Sequence, residues 1–169
     1  LNDVVAARSL DAISLRYFNV AGAGSPDLGD AMALNLVPMV LERLDQNESP
    51  RIFGYDYDTP DGTCVRDYVH VTDLAEAHIA ALDALNSEAP RHRIYNVGTG
   101  IGTSVREMVD VILEVSGAPQ QAEVVARRPG DPAKVVGVVD RIAQELGWRS
   151  RLSVRDIVES SWAAHVYPQ

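Results

Sequence analysis

The sequence predicts an α/β protein, on three observations. Short runs rich in β-branched and aromatic residues alternate with longer runs whose apolar residues recur at helical spacing. Such alternation belongs to strands and helices packed in layers, not to an all-α or all-β chain. Turn residues cluster at the joins, as in residues 55–63 (YDYDTPDGT). The 169 residues suffice for one domain with a real core, since a chain of about 150 residues buries roughly 70% of its unfolded surface.

Residues 13–20 (ISLRYFNV) read as one buried strand, ended by Ala21, Gly22, Ala23 and Gly24. Residues 25–31 are a polar turn. Leu34, Val37, Val40, Leu41 and Leu44 then recur at helical spacing, with Asn35 near the helix start. Residues 51–54 are a short strand and 55–63 a loop. Residues 65–71 alternate as a strand, and Thr72 is placed to cap the next helix. That helix, residues 73–85, carries Leu74, Ala77, Ala81, Leu82 and Leu85 on its apolar face. Residues 94–97 are a strand and 98–103 a Gly-rich turn. Ser104 and Glu107 have the spacing of a capping box for a helix running to about Ser116. Residues 123–126 are a strand, 127–134 a loop, and 140–146 and 153–166 two closing helices. We find no internal repeat and no low-complexity segment.

Composition excludes several classes of function. A hydrophobic content of 46% with 23% charged residues is that of a folded globular chain, not a disordered one. The net charge of −9 argues against a nucleic-acid binder, which needs a basic balance or stripe. The basic spots are small: Arg127 with Arg128, and Arg91, His92 and Arg93. No apolar run reaches the roughly 18 residues of a membrane span. No secretion leader is visible, though the chain starts at Leu1 rather than methionine, so that absence carries little weight. The single cysteine, Cys64, excludes an internal disulfide and a Cys-rich metal site, and it fits an expected cytoplasmic location.

Three constellations are candidates for chemistry. Residues 98–103 (GTGIGT) follow a strand and open a helix, but the sixth position of the dinucleotide fingerprint is Thr103, not glycine. We read a tight turn there and place no NAD on it. Arg66, Arg128 and Asp131 lie in two turn-rich segments. Two guanidinium forks converging from separate loops suit a diphosphate. The alternative is a pair of surface arginines bonded to Asp67 and Asp131. Asn19 ends a strand, where open α/β sheets bind ligands; the alternative is an asparagine that caps a turn. Cys64 reads as a packed thiol, and His70, His78, His92 and His165 show no metal-ligand spacing. Asp56, Asp58 and Asp61 read as a solvated turn, since the closing glutamate of a calcium loop is missing. Trp148 and Trp162 read as packing residues.

Taken together, these stretches resemble a known family. Residues 52–71 (IFGYDYDTPDGTCVRDYVHV) strongly resemble the corresponding segment of UDP-glucose 4-epimerases. LRYFN at 15–19, NLVP at 35–38, YNVGTG at 95–100, RRPGDP at 127–132 and ELGW at 145–148 extend the match in the right order. These enzymes are extended short-chain dehydrogenase/reductases. Several of the motifs are shared with other nucleotide-sugar enzymes, while the run from 52 to 71 is more specific to the 4-epimerases.

The resemblance implies that residues 1–169 are the C-terminal, UDP-sugar-binding portion of such an enzyme. This portion would comprise one or more strands of a Rossmann-like parallel sheet plus the small substrate-binding α/β domain. The NAD-binding half would be absent. The implied reaction is isomerisation of UDP-glucose and UDP-galactose through a 4-keto sugar on tightly held NAD, in galactose metabolism. By motif, Asn19 binds near the diphosphate and Phe18 lies at the nicotinamide end of NAD. Asn35 and Leu36 contact the nucleotide. Arg51, Ile52 and Phe53 line the uracil–ribose pocket. Arg66 and Arg128 hold the diphosphate, Asp131 the ribose hydroxyls, and Tyr68 supports the cluster. Val135 falls where the family places an aromatic or small residue beside the hexose; a small residue leaves room for a 2-acetamido group and hence for UDP-GlcNAc. The loop from 24 to 33 is shorter than the family's.

The family's catalytic Tyr-x-x-x-Lys pair and Ser or Thr precede the matched segment. None of the tyrosines here, at 17, 55, 57, 68, 95 and 167, has lysine four residues on, and the one lysine is Lys134. The resemblance therefore assigns this chain no catalytic residue and no retained NAD, and predicts that it is inactive alone. Residues 1–10 resemble the tail of the helix that carries the missing pair. The strand at 13–20 would then present a bare edge, so self-association is expected of the chain, and a homodimer of its parent. The rival expectations are a stand-alone nucleotide-sugar binding module and a fragment of a related dehydratase or decarboxylase.

Overall fold

The computed structural model describes residues 1–8, 10–30, 32–85 and 92–167. In chain order the elements are α1 (Asn2–Arg8), β1 (Ala12–Tyr17), β2 (Asn19–Ala21), α2 (Leu36–Asp45), β3 (Arg51–Phe53), β4 (Val65–His70) and α3 (Val71–Leu85). There follow β5 (His92–Val97), β6 (Gly102–Ser104), α4 (Val105–Ser116), β7 (Glu123–Val125), β8 (Lys134–Val135), α5 (Asp140–Leu146) and α6 (Val154–His165). The α/β reading holds, and most strand pairs are parallel.

β4 organises the molecule. It is buried on both faces rather than alternating, which is the pattern of a central strand. Its C-terminal half pairs in parallel with β2, and its N-terminal half with β6 antiparallel and β8 parallel. Successive side chains of a strand point to opposite faces. Tyr68 accordingly enters a core with Val37, Val40 and Leu41 of α2, Ile52 of β3, Met108, Val109 and Ile112 of α4, and Ile157 and Val158 of α6. Val69 enters a second core with Leu74 and Ala77 of α3, Tyr95 and Val97 of β5, Ile142 of α5 and Trp148.

The expected single strand at 13–20 is two strands. β1 pairs in parallel with β5, while β2 leaves for β4. The break is at Phe18, whose N–H still donates to Val97 O at 3.3 Å. A continuous strand-like run with no glycine or proline carries no sign of such a change of partner. Among the described strands, β1 and β5 pair only with each other. α1 is tied to them through a chain of side chains: Asn2 Oδ1 meets His92 Nδ1, and His92 Nε2 meets Ser14 Oγ at 3.1 Å.

α2 starts where expected, beside Asn35, whereas α3 does not. α2 begins at Leu36, and Leu34 is exposed instead of joining the apolar face. α3 begins at Val71, so Thr72 lies inside the helix and does not cap it. His70 does: its Nδ1 accepts from Thr72 N–H at 3.0 Å. With Nδ1 accepting, the ring proton is on Nε2, which donates to Ser160 Oγ at 2.9 Å. Leu82, expected on the packed face of α3, is exposed. Ser104 and Glu107 form the expected capping box, and Ser153 with Asp156 forms a second at the start of α6. Trp148 packs as expected, its indole N–H donating to Asp73 O at 3.1 Å. Of the two basic spots, Arg91 lies outside the described residues.

Candidate nucleotide-sugar site

β4 also fixes where the polar residues fall. Arg66 sits opposite Val135 of β8, and Asn19 at the start of β2 sits opposite Tyr68. The Arg66 guanidinium spends Nη1 on two carbonyls, Val65 O at 2.9 Å and Pro132 O at 2.8 Å. Among the described residues, its Nη2 makes only a long contact with Asp131, at 3.7 Å. The Nη2 end is thus held in place yet short of a full partner, which is the condition of a donor ready for an anion.

Arg128 and Asp131 share one turn, in which Asp131 N–H donates to Arg128 O at 3.4 Å. The Arg128 guanidinium lies over the Phe53 ring, 3.8 Å from its centroid. Its neighbour Arg127 lies over Tyr57 at 4.0 Å and reaches Asp56 at 3.6 Å. Two successive arginines leaving β7 are therefore stacked on two aromatics leaving β3, and these strands run in parallel register from Arg51 with Glu123 to Phe53 with Val125. Stacking of this kind orients a guanidinium while leaving its in-plane donors free. Gly54, at φ +87°, makes the close approach possible: a Cβ there would lie 2.6 Å from Tyr57 and 2.8 Å from Arg127.

The structure brings Arg66, Asp131 and Val135 into one cluster, and joins Arg128 to it through the shared turn. Arg51 is exposed, with Glu123 Oε2 at 3.4 Å from its Nε. Asn35 is the N-cap residue of α2, yet its side chain makes no capping bond and is exposed; Leu36 is the first helical residue. Asn19 is likewise exposed. Ile52 is fully buried, in the core beneath β3. The Tyr68 ring is in the core, and burial drives its phenol pKa far above the ordinary value, so it stays neutral. Phe18 is half-buried, its ring against Gly137.

The alternative partner for Arg66, Asp67, is not one. Asp67 is fully buried and accepts from Thr99 N–H at 2.8 Å, Thr99 Oγ1 at 2.7 Å, Gly100 N–H at 3.0 Å and Gly137 N–H at 3.1 Å. The Gly-rich turn at 98–103 is thus wrapped around the chain's own carboxylate, and the amides that a phosphate would need are taken. Sequence reasoning missed this. The signal was there: an aspartate on the same face of a strand as Val65 and Val69 needs buried donors from somewhere. Asp61 is also not simply solvated. It accepts from Thr63 N–H at 2.8 Å and from Ser104 Oγ, joining the 55–63 loop to the head of α4. Cys64 is a buried thiol, and no metal-binding cluster of His, Cys, Asp and Glu exists among the described residues. Nor, among them, is any helix long and apolar enough to cross a membrane.

A cleft of about 830 Å³ opens elsewhere, between the 20–30 loop, α2, the head of α3 and the end of α6. Asn35 is on its wall, but Arg66 and Arg128 are not. Its charged lining is Asp27, Asp30 and His165, and His165 is already bonded to Asp45 at 2.9 Å. Two carboxylates repel a diphosphate, so the chemistry favours the arginine cluster over the larger hollow.

The described strands pair mostly in parallel, and Arg66 and Asp131 are gathered beside β4 and β8. The sequence profile of the NAD dependent epimerase/dehydratase family matches residues 1–98, and the chain belongs to that family. It is 46% identical over 166 residues to the UDP-glucose 4-epimerase of Corynebacterium glutamicum, covering 96% of this chain and 50% of the relative. The UDP-glucose 4-epimerase of Bifidobacterium longum, solved with NAD+ and UDP, superposes with a TM-score of 0.86 at 38% identity, over 96% of this chain and 50% of that one. That of Brucella ovis, solved with NAD, gives 0.88 at 36%, over 98% of this chain and 52% of that one. The chain spans about half the length of the curated relatives it matches.

Proposed function

We propose that this chain supplies the UDP-sugar-binding face of a UDP-glucose 4-epimerase, and that by itself it binds and orients but does not catalyse. The observation that carries this reading is the cluster of Arg66, Asp131 and the Arg128 turn. Arg66 Nη2 and the stacked Arg128 take the diphosphate oxygens, and Asp131 accepts from the ribose hydroxyls. β3 offers backbone groups to the uracil. Val135, in register with Arg66, lies toward the hexose; Asn19, Asn35 and Leu36 are assigned to the sugar-nucleotide by the family resemblance alone, Asn35 standing on the wall of the separate cleft. A nucleotide diphosphate bound this way holds the sugar still without any general acid or base from the chain, which has no Tyr-x-x-x-Lys.

The residues present do not fit NAD. Their Gly-rich turn is filled by Asp67, and Phe18 offers only an aromatic ring at the nicotinamide end. We therefore assign this chain no step in which the cofactor takes part. A homodimeric, cytoplasmic parent belongs to the same reading.

Calorimetric titration with UDP tests it, on the chain and on an Arg66→Ala, Arg128→Ala double variant. The expected result is binding by the chain and none by the variant. Equal affinity in both would overturn the assignment of the site. No binding by the chain itself would mean that the pocket needs further structure to form.

A further inference from the structure

We propose that Asp67 is a positioning residue for the UDP-sugar site, holding the segment that carries Asp131 and Val135 against Arg66; the inference rests on the functional reading above. Asp67 lies on the face of β4 opposite Arg66 and is fully buried, so it touches no substrate. Its four bonds go to two separate segments, the turn at Thr99 and Gly100 and the chain just past β8 at Gly137. β8 is only two residues long, too short a ladder to fix a loop by itself. On its N-terminal side the loop is held by Val65 N–H to Ala133 O at 2.8 Å and by Arg66 to Pro132. On its C-terminal side the holds are Asp67 to Gly137 and, one residue further on, Asn96 Nδ2–H to Val138 O at 3.2 Å.

The packing is built around this carboxylate. A Cβ on Gly98 would lie 2.6 Å from Asp67 Oδ2, and one on Gly137 3.1 Å from the same atom. Neither glycine has a positive φ, so both are needed for close approach and not for backbone freedom. A Cβ on Gly137 would also meet the Phe18 ring at 2.7 Å. One carboxylate thus sets the far end of the Asp131–Val135 loop and the seat of Phe18. An ionised carboxylate only accepts. An asparagine of the same shape would turn an NH2 group toward at least one of these N–H donors and leave it unsatisfied.

The test uses Asp67→Asn and, independently, Gly137→Ala, which crowds the same atom from the other side. Amide exchange is read over residues 131–137 and over α4, together with UDP and UMP affinity. Expected is exchange in 131–137 faster by about ten-fold or more with α4 unchanged, and UDP affinity lower by about ten-fold with UMP affected less. Unchanged loop exchange in both variants would overturn the inference. So would α4 exchange rising in step with the loop, since Asp67 would then hold the fold as a whole. If UDP binding ignores the Arg66→Ala, Arg128→Ala substitution, the functional reading fails, and the exchange data alone still decide whether Asp67 pins the loop.

Discussion

His70 shows how one side chain joins three parts of the chain. Its Nδ1 caps α3 through Thr72, and its Nε2–H reaches Ser160 of α6. Ser160 Oγ in turn accepts from Ala23 N–H at 3.2 Å and donates to Ile157 O at 3.0 Å. Gly22, at φ +92°, lets the chain pass so close that a Cβ would lie 2.7 Å from the ring. Burial lowers the His70 pKa from 6.5, and the opposing pull of Asp73 and Asp156 does not overcome it. The folded value therefore lies below the unfolded one. The neutral ring's contribution is fully present above the unfolded value near 6.5 and is lost as pH falls toward and through the folded value. His70→Gln is expected to cost about 1 kcal/mol at neutral pH through the lost cap. It is also expected to flatten the loss of stability between about pH 7.5 and pH 5. Urea unfolding at the two pH values checks this; equal acid slopes in variant and parent would refute it. Thr72, the cap expected from sequence, follows the usual residue preference. A histidine one strand-end earlier carries no such signal, and its role needs Ser160, 90 residues on, to hold the ring.

At the scale of elements, legibility followed the local rules. Helix α4 was found from its start signal, a side chain to backbone bond within four residues; α6 begins with a box of the same kind, at Ser153 and Asp156, which the sequence reading did not single out. The same rule gives a ranking. Ser153→Ala removes a cap worth about 1 kcal/mol. Ser104→Ala is expected to cost more, because Ser104 also donates to half-buried Asp61, whose carboxylate would lose a donor. Chemical denaturation of the two variants measures the order, and a reversed order would contradict the role given to Asp61. β6 and β8 were not legible. They span three and two residues, and pairing with β4 alone makes them strands. The proposed site's arginine and aspartate cluster was half legible. Arg66, Arg128 and Asp131 stood out as residue types in turn-rich segments, whereas the Phe53 and Tyr57 stacks depend on the β3–β7 pairing, which no local pattern encodes.

For the whole molecule, the exposed feature is the sheet of β1 and β5. β1 is half-buried over most of its length, and Tyr17 at its end is 58% exposed. A strand that pairs on one side only presents unpaired N–H and C=O groups to other chains. We expect the isolated chain to associate through this edge, giving a concentration-dependent rise in sedimentation coefficient. A constant monomer across a wide range of concentration would exclude it. The division of the 13–20 run between two sheets sharpens the point: β2 is secured to β4, and β1 is left as the edge.

The Arg127–Tyr57 and Arg128–Phe53 stacks carry a consequence for how the molecule comes together. They exist only once β3 and β7 lie side by side, and Arg51 and Glu123 in that register are 72 residues apart. Contacts of that span are favoured only after the closure entropy of a long loop has been overcome. The capped helices, by contrast, are locally specified. The arginine cluster proposed for the diphosphate is therefore expected among the last parts of the chain to assemble, so a ligand that occupied it would act mainly by slowing its loosening and hardly at all by hastening its formation.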